Sequence, residues 1–301
     1  MNLLIYIYLI KIHQLDNFMR FYYTILICTA SFFLFLRCNK QKSEQNENLL
    51  VKNSLTNATL SLSDNKYYLP TSTTHEIVEH EFYTLSYSEK HEQAEWVAYE
   101  LKKSQLSHSK LRRPHFIDDP QVETGSASWK NYKHSGYDKG HLCPAADRKF
   151  SRKAFDETFY TSNISPQLND FNAGIWSKLE QKTRYWAAKY DGVYVVTGGV
   201  LTNDLETIGN EGVSVPKFFY KILLDNSRSE YKAIAFLLPN EASKKPLYSF
   251  VISIDEIEKM TGIDFFPNLP DDIENKLEES ADYKDWSFSP DRNGKPFEKK
   301  H

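Results

Sequence analysis

Ser135-Gly136-Tyr137-Asp138-Lys139-Gly140-His141-Leu142-Cys143-Pro144-Ala145-Ala146-Asp147 puts a histidine, two carboxylates and a lysine between glycines and a proline. Few apolar residues there argue for a core purpose. Gly140 before His141 and Pro144 after it predict an exposed turn that presents the imidazole. Further along come Ser162-Asn163-Ile164-Ser165-Pro166-Gln167 and then Asn169-Asp170-Phe171-Asn172-Ala173-Gly174-Ile175-Trp176-Ser177-Lys178-Leu179-Glu180. The first segment offers a general base and the last offers oxygen ligands for a hard cation. Together they point to metal-assisted hydrolysis.

An imidazole that titrates near neutrality can take a proton from water while a metal handles phosphate charge, which makes His141 the candidate base. Asp138 is read as the carboxylate that orients its ring. A hydrogen-bonded structural histidine is the plainer alternative. The amide oxygen of Asn172 suits Mg²⁺, which keeps most of its waters and takes one or two protein ligands. Mn²⁺ accepts the same oxygen donors. Positions 172, 176, 180 and 184 lie four apart, so Asn172, Trp176, Glu180 and Arg184 fall on one stripe of an unbroken helix. Glu180 would then hold the metal's water shell, and Arg184 would meet a phosphate oxygen or pair with Glu180. A surface salt bridge beside an N-terminal asparagine is the rival reading. Ile175, Leu179 and Trp186 supply the core-facing side. Lys139, Arg148, Lys149 and Arg152 are candidate phosphate contacts, as is Arg113, with Arg112 its close rival. Cys143 is read as a small buried hydrophobe rather than a nucleophile.

The 301 residues suffice for one large domain or two small ones. An apolar content of 41% with 14% aromatic residues supports a real core. The net charge of −3 hides a strong asymmetry: residues 101–190 carry sixteen Lys/Arg against nine Asp/Glu, and residues 1–42 carry five against one. Positive charge therefore shares a segment with the candidate catalytic residues, and local potential is what attracts a polyanion. A solvated charged face would look the same in sequence. Cys28, Cys38 and Cys143 are the three cysteines. With one thiol in the folded part, a disulfide framework and a Cys/His zinc site there are excluded.

Residues 21–36 form an uncharged apolar run, short for a membrane span and suited to a signal-peptide core. Cys38, followed by the polar run from Gln41 to Asn48, resembles a bacterial lipoprotein signal with Cys38 as the acylated lipid anchor, although Arg37 stands where a small residue is usual. Met19 is an alternative start that would leave residues 1–18 untranslated. Export to the cell envelope, as a membrane-anchored lipoprotein or a secreted chain, is the expectation. Residues 39–75 read as a flexible polar linker, 76–290 as the folded domain and 291–301 as a charged tail. Strands are predicted over 80–87, 94–101, 193–200, 218–224 and 231–238, with helices over 169–190 and 253–262, the latter capped by Ser253. Strands and helices without regular alternation argue for an α+β fold.

The motif pair resembles the DNA/RNA non-specific endonucleases, the ββα-metal family. The signature Asp-Arg-Gly-His reads here Asp138-Lys139-Gly140-His141. Asn-x-x-Pro-Gln followed by Asn-x-x-x-Trp-x-x-Leu-Glu is matched by Asn163–Gln167 and Asn172–Glu180. The likeness covers residues 80–240 and implies a central, mostly antiparallel sheet with flanking helices and a His-bearing ββα metal finger. It also implies His141 as base, Asn172 and Glu180 at the metal, and Asn163 and Arg184 as active-site residues. Lys139 stands where the family has an arginine; lysine keeps the charge and loses the bidentate fork. The implied cofactor is Mg²⁺ (or Mn²⁺), the substrates DNA and RNA cut to 5′-phosphate ends, and a homodimer is one option for assembly. The alternatives are a nucleic-acid-binding relic on the same fold and a phosphodiesterase for small esters.

Overall fold

The aromatic and β-branched runs assemble into a seven-stranded sheet. The computed structural model describes residues 68–107, 109–227 and 231–288, so the apolar run at 21–36, Cys38 and the tail 291–301 lie outside the described residues. The strands are β1 (Ile77–Glu79), β2 (Thr84–Ser88), β3 (Gln93–Lys102), β6 (Gly192–Gly199), β9 (Phe218–Asp225), β10 (Lys232–Pro239) and β11 (Val251–Ile252), hydrogen-bonded in that order. Every neighbouring pair is antiparallel. Two small pairs stand apart: β4 (Asp138–His141) with β5 (Ile164–Gln167), and β7 (Thr207–Ile208) with β8 (Val213–Ser214). The helices are α1 (Arg152–Glu157), α2 (Ser177–Lys189), α3 (Ile254–Thr261) and α4 (Asp271–Glu278). The α+β expectation holds.

Register places Val97 and Tyr99 of β3, Val195 of β6 and Phe219 and Leu223 of β9 in one cluster with Trp176, Leu179 and Trp186. This is the face on which α2 packs, as the periodicity of Ile175, Leu179 and Trp186 predicts. Each fully buried side chain of that size contributes roughly 1.5–3 kcal/mol. Tyr220, on the opposite face of β9, meets Phe265 edge-on at 5.6 Å. The sheet is thus covered on both sides, and its central strands are apolar without strict alternation.

Three boundaries differ from expectation. The strand read over 80–87 is broken at Glu81-Phe82, where His80 N–H donates to the Tyr83 carbonyl at 2.9 Å and closes a turn between β1 and β2. The linker read as far as residue 75 ends earlier, because Tyr68 packs on Tyr194 at 4.3 Å and Trp96 Nε1 donates to the Thr71 carbonyl at 2.8 Å. Thr73 is tied by its N–H to Glu95 at 2.9 Å. Ser and Thr hold this segment through hydrogen bonds, which hydropathy does not register. The helix expected over 169–190 is not uniform: Phe171–Trp176 is π-wound, with Gly174 at φ −96°, ψ −109°, and only α2 beyond it is regular. Ser253 caps α3 as read, its Oγ accepting from Glu256 N–H at 3.3 Å. Among the described residues no helix is long and apolar enough to cross a membrane.

Candidate active site

The β4–β5 pair pins Asp138 opposite Gln167 and His141 opposite Ile164. Gly140 therefore lies in a strand, not in the exposed turn read from its neighbours. Its function is close approach: a Cβ there would overlap the Gln167 side chain. Beyond β5 the Leu168 carbonyl accepts from both Phe171 at 3.0 Å and Asn172 at 2.9 Å, and the π-wound turn follows, with the Asn172 carbonyl accepting from Ser177 N–H five residues on. Strand, strand and helix thus form a ββα unit that carries His141 and Asn172.

Asp138 does not reach the imidazole as expected. Its Oδ2 accepts from the amide nitrogens of Asn169 and Asn172, each at 3.0 Å. A carboxylate accepts only, so this contact fixes the Asn172 amide with nitrogen toward Asp138 and oxygen away. The Asn172 Oδ1 is left without a hydrogen bond among the described residues. An oriented, unengaged oxygen on a half-buried side chain fits a Mg²⁺- or Mn²⁺-type cation that needs few protein ligands.

His141 sits between Phe116 at 5.5 Å and Phe159 at 5.1 Å. Its Nε2 is buried without a hydrogen-bond partner among the described residues, so the ring nitrogen that can meet a water is Nδ1. Burial first, and then the Arg113 charge, lower its pKa to about 3. The imidazole is neutral at ordinary pH. Arg113 lies 5.1 Å above the Phe116 ring and 5.3 Å above Phe159, and lines a cleft of about 770 Å³ with Phe116, Trp129, Asp138, Lys139 and Asn172. Arg112 is placed differently: its carbonyl accepts from Arg152 at 3.1 Å, and its side chain does not line the cleft. Lys139 Nζ is 5.6 Å from the Phe116 ring.

Asn163 is a correction. It is fully buried, and its amide is spent on backbone: Oδ1 accepts from Cys143 N–H at 2.8 Å, and Nδ2 donates to the Cys143 and Thr158 carbonyls at 3.0 Å each. It clamps the chain just after His141 and touches nothing in the cleft. Arg148 is another. It is 1% exposed, 4.5 Å above the Tyr99 ring, and donates to the Glu100 carbonyl at 3.1 Å, so it cannot meet substrate. Arg152 pairs with Asp156 at 2.7 Å. Lys149 is half-buried at the end of a 3-10 turn and does not line the cleft. Burial pushes the Cys143 thiol up to about 12, which leaves it inert.

The stripe 172–176–180–184 survives only from Trp176 onward, because the Gly174 kink takes Asn172 out of register. Glu180 and Arg184 face an interior charge cluster. Arg184 donates to Asp147 Oδ1 at 2.6 Å, and the Tyr99 hydroxyl donates to Asp147 Oδ2 at 2.9 Å. Lys221, fully buried on β9, lies 4.9 Å over the Trp176 ring, with its ammonium without a hydrogen bond among the described residues. Burial and then Asp147 push Glu180 up to about 7, against the pull of Lys221 and Arg184. Burial brings Lys221 down to about 8, against Glu180 and Asp147. Sequence reading missed Lys221, Asp147, Phe116 and Trp129. The one available signal was a lysine inside the apolar strand Phe218–Leu224.

The DNA/RNA non-specific endonuclease family model matches residues 64–272. The mitochondrial nuclease EXOG of Danio rerio is 36% identical over 211 residues, 64% of this chain and 62% of its own length. Nuclease C1 of Cunninghamella echinulata var. echinulata is 35% identical over 217 residues, 65% of this chain and 85% of its own. Human mitochondrial endonuclease G is 33% identical over 204 residues, 63% of this chain and 69% of its own. The crystal structure of the EndoG/EndoGI complex matches with a TM-score of 0.63 at 28% identity, over 69% of this chain and 91% of that one. The chain spans 62% and 56% of the lengths of the Danio rerio and human EXOG nucleases it matches. With the ββα unit, the motif pair and the antiparallel sheet all in place, the chain belongs to the DNA/RNA non-specific endonuclease family.

Proposed function

We propose that this chain is a divalent-metal-dependent endonuclease that hydrolyses phosphodiester bonds of DNA and RNA with little sequence preference, leaving 5′-phosphate ends. One observation carries the reading: a neutral imidazole on β4 stands in the same ββα unit as an asparagine whose amide nitrogen is tied to Asp138 and whose oxygen is open. His141, held unprotonated by burial and by Arg113, takes a proton from the attacking water through Nδ1. A phosphodiester entering the cleft brings negative charge beside Arg113. That charge makes the imidazole more basic when it must accept the proton. Arg113 and Lys139 grip phosphate oxygens, and Trp129 offers a flat face to a sugar or base. Contacts of this kind read backbone rather than sequence. Asn172 Oδ1 would hold Mg²⁺ or Mn²⁺, with Glu180 assigned to its water shell; when bound, the ion neutralises charge at the reacting phosphate and leaving oxygen. Asn163 and Arg184 act by positioning. The apolar run ahead of Cys38 supports action outside the cytoplasm, with Cys38 as the lipid attachment point.

The test is digestion of supercoiled plasmid and of RNA in Mg²⁺, Mn²⁺ or EDTA, at about 50 and about 200 mM salt. Both substrates are cut with either metal, the ends are ligatable 5′-phosphates, EDTA abolishes cutting and high salt slows it. Tight DNA binding without cutting under either metal would favour a binding relic instead.

A further inference from the structure

Away from the cleft, five carboxylates converge where α3 meets α4. Asp255 and Glu258 stand three apart on α3, and Glu274 and Glu278 stand four apart on α4, so each helix turns its pair to one side. Gly262 ends α3 in the left-handed conformation at φ 72°, its N–H donating to the Glu258 carbonyl at 2.7 Å, and the chain turns on to Asp264. One oxygen each from Asp255, Glu258 and Glu278 lie within 4.8 Å of one another, and the same holds for Asp264, Glu274 and Glu278. Glu278 belongs to both sets. It is 7% exposed, and its Oε1 is buried without a hydrogen-bond partner among the described residues. Among the described residues none of the five is ion-paired within 4.0 Å. Lys259, beside Glu258, is the basic group that acts on the cluster.

We propose that these carboxylates form a binding site for a hard divalent cation of calcium's size, centred on the buried carboxylate of Glu278, which both sets share. Oxygens about 2.4 Å from a shared ion lie at most about 4.8 Å apart, and each of the two sets satisfies that limit. Ca²⁺ takes six to eight oxygens in irregular arrangements, whereas Mg²⁺ demands a near-ideal octahedron and parts with water reluctantly. Burial first, and then Glu258, Glu274, Asp264 and Asp255, push the Glu278 carboxyl up to about 8, which is the cost a cation at this point relieves. Asp264 also accepts from Thr71 N–H at 2.9 Å and donates its own N–H to Thr71 Oγ1 at 2.8 Å. A bound ion therefore joins α3, α4 and the segment around Thr71, and its effect is on stability rather than on the chemistry.

Thermal unfolding in EDTA and in Ca²⁺ tests this with wild type, Asn172→Ala, Glu278→Gln and Asp264→Asn. The Asn172 variant lacks the cleft's metal ligand, so any calcium response it keeps belongs elsewhere, and the outcome is separate from whether the chain is a nuclease. With Ca²⁺ at about a hundred times its Kd, wild type and Asn172→Ala melt roughly 5–10 °C higher than in EDTA. Glu278→Gln melts no lower than wild type in EDTA and gains nothing from calcium. Asp264→Asn, altered at an exposed side chain, folds normally and needs about tenfold more calcium for the same rise. No rise in wild type, a rise confined to chains with Asn172 intact, or an equal rise in Glu278→Gln would overturn the proposal.

Discussion

Two groups of charges in this protein share the same residue types and do opposite things. In the cleft, among the described residues, Arg113 and Lys139 stand over aromatic rings without a carboxylate partner in hydrogen-bond contact, and the Asp138 carboxylate bonds the amides of Asn169 and Asn172. In the interior, Asp147 binds Arg184 and Tyr99, while Glu180 and Lys221 bias one another's protonation. The first group is available to a phosphate; in the second, Asp147, Arg184 and Lys221 are committed to the fold. Chemical type does not decide which group a residue joins. What decides it is whether a partner from a distant strand has already claimed it. Arg148 makes the point, since a basic residue seven positions after the candidate base is sealed under Tyr99 of β3.

The comparison is broken most severely by removing the hub of the interior group. Asp147→Ala leaves Arg184 and the Tyr99 hydroxyl without their buried partner, and should lower unfolding stability by about 3–5 kcal/mol in denaturant titration. A loss below about 1 kcal/mol would mean the cluster is not structural. Arg113→Ala, by contrast, should leave stability within about 0.5 kcal/mol of wild type. It should weaken nucleic-acid binding about tenfold and reduce the slope of log K against log salt by about 1. Equal losses of stability and binding would erase the distinction between the groups.

A finer test uses pH. His141 has its pKa lowered to about 3 from the usual 6.5, so it becomes protonated only well below the ordinary imidazole range. The acid limb of kcat/KM, which reports the free enzyme, should therefore fall below pH 6.5. Between about pH 6.5 and 3 the unfolded chain binds the proton and the native one does not, so this group makes stability decline as pH falls through that window. An acid limb at or above pH 6.5 would show that the imidazole is solvated and that Arg113 is not acting on it. The smallest effect is at Lys139: Lys139→Arg restores a bidentate fork and should raise kcat/KM a few-fold, about 1 kcal/mol or less of transition-state stabilisation, with stability unchanged.

How much of this was legible in sequence depends on the range of the interaction. His141 and Asn172 stood out because their chemistry is carried by short, ordered motifs, and the sheet strands because apolar runs announce themselves locally. The Ser253 cap was legible for the same reason. Asn163 was not, because nothing local shows that its amide is consumed by Cys143 and Thr158. The four-residue stripe failed at one step: Gly174 permits a π-wound turn, so Asn172 leaves the face that Glu180 and Arg184 keep. Asp138 was assigned to the nearest attractive partner in sequence and instead orients Asn172 from 34 residues away. Lys221 sits about forty residues beyond Glu180, and only the packing of α2 on the sheet brings them together.

The most direct test is plasmid cleavage in Mg²⁺ by His141→Ala beside the wild-type chain, with unfolding midpoints measured for both. The account predicts a loss of about 10²–10⁴ in kcat with the midpoint preserved. Wild-type-level cutting by a folded His141→Ala variant would contradict it.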